Sequence, residues 1–515
     1  MPGRKTVWTS YFIVFVASAC GMTIELVAGR IMAPYIGVSL YTWTSIIGVV
    51  LAGMSLGNYL GGRIADRAPK PRTLGVLFVL SGLACLSILA LIGFVGNKSL
   101  NLTMPLMAKI AVLTAIVFFL PSLLIGTISP VVVKLTLKDL RDAGSTVGKI
   151  YAWSTAGSIV GTFATGFVLI SWFGTRMIVA GVAVVLVVMG VVFGRLWQRE
   201  TATRAITAVL LLMFVGFGFY LNTRNAFASP YWKESNYFAI RFFDQGNDDN
   251  KVRVLVLDHL VHSFVALDDP THLEYAYEKV YADIVRYLSP SRPAMNALFI
   301  GGGGYTFPRY MEHVYPDSSL EVIEIDPDVT RVVYEELGLP RDSRIVTHNM
   351  DGRLFFDGNA PREKYDLILG DAFNDLSIPY HLTTLEFSQQ LKKTLKPNGF
   401  FLANIIDNPK RGAFLRPYVN TLKRVFPHVT IAAIGEGWKA SAQNTLIVVA
   451  SELPLDPQHF TDTLTQANGG TQPDTKIMPE GELAVYLSQG TDLVLTDDYV
   501  PVDQLIATLF DERGY

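Results

Sequence analysis

Four positions in the second half of the chain have types and spacings suited to nucleoside chemistry. The first is a glycine run, Gly301 to Gly304, between Ile300 and Tyr305. Glycines there let backbone approach a ligand closely, and Gly301, Gly303 and Gly304 are taken as contacts. Glu324 follows about 20 residues on, where a carboxylate accepts both ribose hydroxyls. Asp351 with Gly352, and then Asp371, close the set. Three acids and a glycine turn suit a nucleoside.

Elements must bring these residues together. Short apolar strands are expected at 297–300, 320–325, 344–347, 367–369, 399–404 and 430–434, separated by helical stretches. That alternation predicts a Rossmann-like, doubly wound α/β sheet of the methyltransferase type over residues 291–515. Ligands in such sheets bind at the carboxyl ends of strands, so Glu324, Asp351 and Asp371 should converge on one crevice. A linker and a small β region, with strands at 252–257 and 263–267, occupy residues 223–290.

Residues 1–222 have a different character. They carry 17 Lys and Arg against 5 Asp and Glu, a net of +12, whereas the rest of the chain has a net of −14. Seven apolar stretches lie near 8–27, 41–60, 73–95, 110–135, 150–173, 177–196 and 206–221. Each suits a helix crossing a hydrocarbon core of about 30 Å, so a polytopic all-α transmembrane bundle of about seven helices is expected, in the inner membrane of a cell. The run at 110–135, broken by Pro121, is a candidate re-entrant segment. Small residues at Gly53, Gly57 and Gly61, and at Gly157 and Gly161, have the spacing of close helix contacts. Glu25, with Arg30 five residues on, is an ionisable group at membrane depth. The acidic second half argues against nucleic acid. Cys20 and Cys85 fall in apolar runs, so neither a disulfide framework nor a cysteine metal site is expected.

The soluble half resembles the spermidine synthase (polyamine aminopropyltransferase) family over roughly Ser235 to Ser451. The motifs that carry the resemblance are residues 235–240, 254–258, 274–277, 300–304, 322–326, 351–352 and 365–371, in the family's order. The resemblance implies that Glu324 holds the ribose, Asp351 accepts from the adenine amino group, Tyr277 lines the amine site and Asp371 is the catalytic carboxylate. Attack on the carbon next to a sulfonium would expel 5'-methylthioadenosine. The substrate would be S-adenosylmethionine or its decarboxylated form, with no separate cofactor and no metal.

Two departures bear on the reaction. The family's Gly-Gly-Gly-Asp loop has Gly304 in place of its aspartate, and its second catalytic-loop aspartate aligns with Asn374. A family glutamine aligns with His262, a candidate for positioning a substrate carboxylate. Loss of amine-gripping acids points to a lyase in which intact S-adenosylmethionine closes on itself to homoserine lactone. The alternatives are an aminopropyltransferase making polyamines, and a transporter or sensor; the stretch 57–67 resembles a loop of major facilitator transporters. Expected partners are the lipid bilayer and a small-molecule substrate, with a homodimer as the commonest assembly. Basic clusters at 63–72, 134–149 and 195–204 fall in alternate loops, and Arg4 with Lys5 is set against them. That reading places the catalytic domain in the cytoplasm, where S-adenosylmethionine is made.

Overall fold

The computed structural model describes residues 4–95, 104–137, 139–196, 201–247, 251–358, 360–372, 378–410, 412–435 and 444–506. It divides into two compact units, Met1–Ala239 and Ile240–Gly514.

The first unit is helical because its residues are apolar around the helix circumference and lipid offers no partner for open backbone groups. Its helices are α1 (Arg4–Ile36), α2 (Leu40–Arg67), α3 (Pro71–Val95), α4 (Leu106–Gly126), α5 (Ile128–Thr136), α6 (Ala143–Ala164), α7 (Ile170–Phe193) and α8 (Thr201–Thr223). A π turn at Thr165–Leu169 joins α6 to α7. Six helical stretches among the described residues are long and apolar enough to cross a membrane, and Ala143–Phe193 is one continuous stretch of 51 residues.

Side-chain contacts give each helix a direction. Glycines let α6 lie against α1: a β-carbon on Gly157 would stand 2.1 Å from the Phe15 carbonyl oxygen, and one on Gly161 would stand 2.6 Å from that of Ala19. The Ser18 and Ser154 hydroxyls are 2.6 Å apart, and Thr165 donates to Thr23 at 3.0 Å. Both chains ascend together, so α1 and α6 are parallel. Yet Phe193, at the far end of α7, packs on Phe12 near the start of α1. The chain therefore reverses between them, at Gly174, whose φ of +67° and ψ of 157° are not helical. The Glu234 carboxylate accepts the Thr175 backbone N–H at 2.9 Å and caps the returning helix. Likewise α4 and α5 run beside α2 from Gly53–Ser122 through Gly61–Thr127 to the Lys134–Asp66 ion pair. This pairing runs most of the length of α2, which corrects the expectation of a re-entrant segment; Pro121 sits inside a helix whose neighbours close around it. Helix α8 starts where Thr207 donates to the Leu196 carbonyl and ends where Arg176 donates to that of Ala226.

These contacts define two ends of the bundle. The starts of α1, α3, α6 and α8 and the ends of α2, α5 and α7 lie at one end. The ends of α1, α3 and α8, the starts of α2 and α4, and Gly174 lie at the other. Two crossings, not one, separate Arg4 from the 63–72 loop, so the N-terminal basic pair belongs with the other three clusters. That corrects the conflict read from the sequence. The segment after α8, which includes the two-residue strand β1 (Lys233–Glu234), is fixed at the second end. There Arg30 donates to the carbonyls of Ser235, Asn236 (3.3 Å) and Tyr237 (2.7 Å), and Ser171 donates to Asn236 at 2.9 Å.

The second unit opens with antiparallel strands β2 (Ala239–Gln245), β3 (Val252–Leu257) and β4 (Leu260–Ala266), then helix α9 (Ala276–Leu288). The main sheet follows. Strands β5 (Asn296–Ile300), β6 (Ser319–Ile323), β7 (Val346–His348), β8 (Tyr365–Gly370) and β9 (Leu395–Asp407) form its parallel part, in the order β7-β6-β5-β8-β9. Helices α10 (Thr306–Val314), α11 (Pro327–Glu335), α12 (Gly352–Asp357), α13 (Leu385–Thr394) and α14 (Leu415–Lys423) are interleaved with the strands. Strand order reverses between β5 and β8, and that switch point opens the crevice. Beyond β9 the sheet turns antiparallel through β10 (His428–Ile434), β11 (Asn444–Ser451) and β12 (Thr475–Ile477). The fully buried run Leu446–Val448 in β11 was not anticipated from sequence. Every strand of the parallel part carries buried apolar side chains except β7 at its edge, as expected of a sheet covered on both faces.

Candidate functional site

The carboxyl ends of β5, β6 and β8 are tied together by backbone. Gly301 N–H donates to the Ile323 carbonyl and Asp371 N–H to that of Ile300, each at 2.8 Å. Gly301 has a φ of +99°, and a β-carbon there would stand 2.4 Å from the Asp371 carbonyl oxygen. Only glycine fits that crossing.

Glu324 lies just past β6 and is 5% exposed. Its carboxylate accepts Gly302 N–H and Asp326 N–H, both at 2.9 Å. Burial pushes its pKa up to about 7, against the pull of those amides. The carboxylate thus holds the glycine loop. Behind the loop, Tyr305 is fully buried with a φ of +56°, and its hydroxyl lies 3.0 Å from that of Thr347. Its conformation is uncommon for a residue with a β-carbon, and the surrounding packing holds it there.

Asp351 caps α12 by accepting Leu354 N–H at 3.1 Å, and its other oxygen lies 3.1 Å from His381 Nε2. Gly352 packs against Ile300 and Leu382, so a side chain there would fill the crevice wall. Residues Ile300, Gly370, Ala372, Ile378, Pro379 and Leu382 line an apolar cleft that runs on to Asn404 and Tyr418. The covering loop at 378–384 is fastened by Arg353, which donates to the His381 carbonyl at 3.1 Å and forms two bonds to Asp497, at 3.0 and 2.6 Å. Asp497 is therefore an anchor from the far end of the chain.

Asp371 ends β8. Asn404, on β9, donates to it at 2.7 Å, and the Tyr277 hydroxyl donates to it as well. Burial raises its pKa. Tyr277 stacks between Tyr275 and Tyr281, with ring centroids 5.3 and 5.6 Å away. The Asn404 Oδ1 atom is buried without a hydrogen-bond partner among the described residues. Glu278, the next residue after Tyr277 on α9, is 2% exposed and accepts Tyr275 N–H at 3.2 Å. Burial, and then the neighbouring charge of Asp371, push its pKa up to about 8 despite that bond. Two buried carboxyls, Asp371 and Glu278, thus lie close enough to Tyr277 and to each other for the charge of Asp371 to raise the pKa of Glu278. Paired carboxyls of this kind suit a ligand that carries an amine or ammonium.

The structure brings Gly301, Gly303, Glu324, Asp351, Gly352, Tyr277 and Asp371 to the carboxyl edge of one sheet. Asn374 lies outside the described residues. His262 is half-buried on β4, beside Ser263, and it is Ser263 whose hydroxyl accepts Gly304 N–H at 2.7 Å. Gly304 faces no ligand space: a β-carbon would stand 2.6 Å from Ser263 Cβ. Its role as a substrate contact is corrected to one of packing. Glu278 and Asn404 escaped the sequence reading because neither ends a glycine turn or occupies a quoted motif position with a role. The alternation of tyrosines at 275, 277 and 281 was the available signal that α9 faces something polar.

No family model matches the chain. Among curated proteins, it is 34% identical over 114 residues to a polyamine aminopropyltransferase of Vibrio vulnificus, covering 22% of this chain and 38% of that protein. It is 24% identical over 412 residues to polyamine aminopropyltransferase 2 of Streptomyces coelicolor, covering 75% and 71%. The chain thus spans well under half the length of the first curated relatives it matches. A crystal structure of a probable spermidine synthase from Corynebacterium glutamicum aligns with 23% identity and a TM-score of 0.44, over 52% of this chain and 95% of that one. The α/β unit that follows the helical region is a spermidine-synthase-like domain.

Proposed function

We propose that the chain is a membrane-attached aminopropyltransferase: it moves an aminopropyl group from a decarboxylated S-adenosylmethionine-type sulfonium to an amine acceptor. The observation that carries this reading is the pair of buried carboxyls, Asp371 and Glu278, beside Tyr277. Desolvating a cationic amine without such groups is expensive. Glu324 would take the ribose hydroxyls and Asp351 the adenine amino group, with the base against the apolar wall at Ile378 and Leu382. The acceptor nitrogen attacks the carbon bonded to the sulfonium. A C–N bond forms, the C–S bond breaks with its electron pair going to sulfur, and the proton lost by nitrogen passes to Asp371. Methylthioadenosine leaves as a neutral thioether, so positioning is the main contribution asked of the protein.

The lyase reading drew on the missing acids at positions 304 and 374, and Asn374 lies outside the described residues. Packing against Ser263 accounts for glycine at position 304 without reference to substrate. The deciding experiment incubates purified full-length protein with S-adenosylmethionine alone, and separately with the decarboxylated donor plus a diamine. Aminopropyl transfer gives methylthioadenosine and a lengthened polyamine only in the second mixture. Methylthioadenosine and homoserine lactone from the first mixture would replace this proposal with the lyase.

A further inference from the structure

The directions of the membrane helices bear on where the catalytic chemistry happens. Residues 1–222 hold 17 Lys and Arg. Thirteen of them belong by sequence to the start of α1 and to the segments around the α2–α3, α5–α6 and α7–α8 connections: Arg4, Lys5, four at 63–72, four at 134–149 and three at 195–204. The packing of Phe12 on Phe193, of Trp8 on Trp153 and of Ser10 on Thr136 gathers those segments at one end of the bundle. The remaining four are Arg30, Lys109 and Arg176, which belong to the other end, and Lys98, which lies outside the described residues. Such an imbalance places the basic end in the cytoplasm, because short loops rich in Lys and Arg are retained there during insertion. Trp8, Tyr11 and Trp153 form a cluster at the basic end, as rings at either membrane interface do, so orientation rests on the Lys and Arg imbalance.

The chain leaves the bundle at the opposite end. Arg176 donates to the Ala226 carbonyl, Glu234 caps Thr175, and Arg30 holds residues 235–237. Both charges used at that end, Arg30 and Arg176, are thus engaged with the exit segment. We infer that residues from Ile240 onward lie on the non-cytoplasmic side of the membrane, so the spermidine-synthase-like domain draws its substrates from outside the cytoplasm. This replaces the cytoplasmic placement expected from the sequence, which rested on a one-crossing separation of Arg4 from the 63–72 loop. The consequence for the reaction sequence is specific. A sulfonium donor is a fixed cation and crosses lipid poorly, so a membrane-transport step must supply it to this face.

Two single-cysteine variants test the inference in intact bacterial cells: Ser145→Cys, exposed near the start of α6, and Gln489→Cys, exposed in the second unit. The native Cys20 and Cys85 are buried and give low background. A membrane-impermeant maleimide is expected to label Gln489→Cys in intact cells and Ser145→Cys only after lysis. Labelling of Ser145→Cys in intact cells, or of Gln489→Cys only after lysis, overturns the inference. A second arm, which rests on the proposed aminopropyl transfer, supplies the decarboxylated donor and a diamine outside spheroplasts and measures external methylthioadenosine. Correct labelling without turnover leaves the placement intact and counts against the proposed reaction; turnover seen only after lysis overturns the placement.

Discussion

Asp371 is held by a tyrosine hydroxyl and an asparagine amide, and burial keeps its proton affinity above that of an ordinary aspartate. In the proposed reaction a group so placed would receive the proton of the attacking amine. Asp371→Asn keeps the shape and removes the base, so kcat should fall by about 10² to 10⁴ while the donor KM changes little. An equal fall in donor affinity would instead mark Asp371 as a binding residue. Glu278 gives a second prediction through pH. Its folded pKa of about 8 lies above the 4.5 of an unperturbed glutamate, so the folded state binds the proton more tightly than the unfolded chain. The stability this contributes is complete below about pH 4.5 and is lost as pH rises through 8. Glu324, with its pKa near 7, acts in the same direction. The thermal midpoint of the soluble unit within the full chain should therefore fall from pH 5 to pH 8, and fall less in Glu278→Gln. An unchanged slope in that variant would place the titration elsewhere. Glu324, Asp351 and Asp371 were legible in the sequence because each follows a strand. Glu278 was not, because an acid on a helix acquires meaning only from what the helix is packed against.

The turn between β5 and α10 shows how an element constrains a residue that looks chemical in one dimension. Its glycines read as a ligand cradle, and Gly301 fits that reading because its φ is positive and its α-carbon passes close to Asp371. Gly304 differs. Its N–H is satisfied by Ser263 of β4, and the serine stands where a side chain would go. Gly304→Asp, which restores the residue typical of the resembled family, should destabilise the protein by about 1–3 kcal/mol through overpacking. It should not raise activity. Urea midpoints of Gly304→Asp and of Gly304→Asp with Ser263→Gly check this, since the second change opens the space and should recover much of the loss. The same limit explains the missed strands. The parallel part, β5 to β9, announces itself by alternation with helices. Of the antiparallel extension, β10 was expected, but β11 and β12 have no such punctuation, and β11 follows residues 436–443, which carry no apolar pattern.

For the molecule as a whole, the sequence disclosed the number of apolar stretches more readily than their arrangement. Hydropathy shows that residues 150–173 and 177–196 are each long enough to cross, but not that the chain reverses at Gly174 without an intervening loop. What makes the reversal possible is polar and remote: Glu234, sixty positions later, supplies the cap that a loop residue would normally provide. Arg30, read at first as a possible partner of Glu25, serves the same exit segment by satisfying three consecutive carbonyls. A segment held through one guanidinium should be sensitive to its loss. In detergent-solubilised full-length protein, Arg30→Ala should speed proteolytic cleavage within residues 224–238 by about tenfold or more, a change in opening free energy of about 1.4 kcal/mol. Cleavage elsewhere, and turnover by the intact fraction, should stay as in the unaltered protein, because none of the residues proposed to bind substrate lies in that segment. If cleavage in 224–238 is unchanged in Arg30→Ala but rises in Glu234→Gln, the cap on α7 rather than the Arg30 contacts holds the exit. If neither variant changes it, the segment is held by its backbone turns and the assigned role of both side chains is wrong.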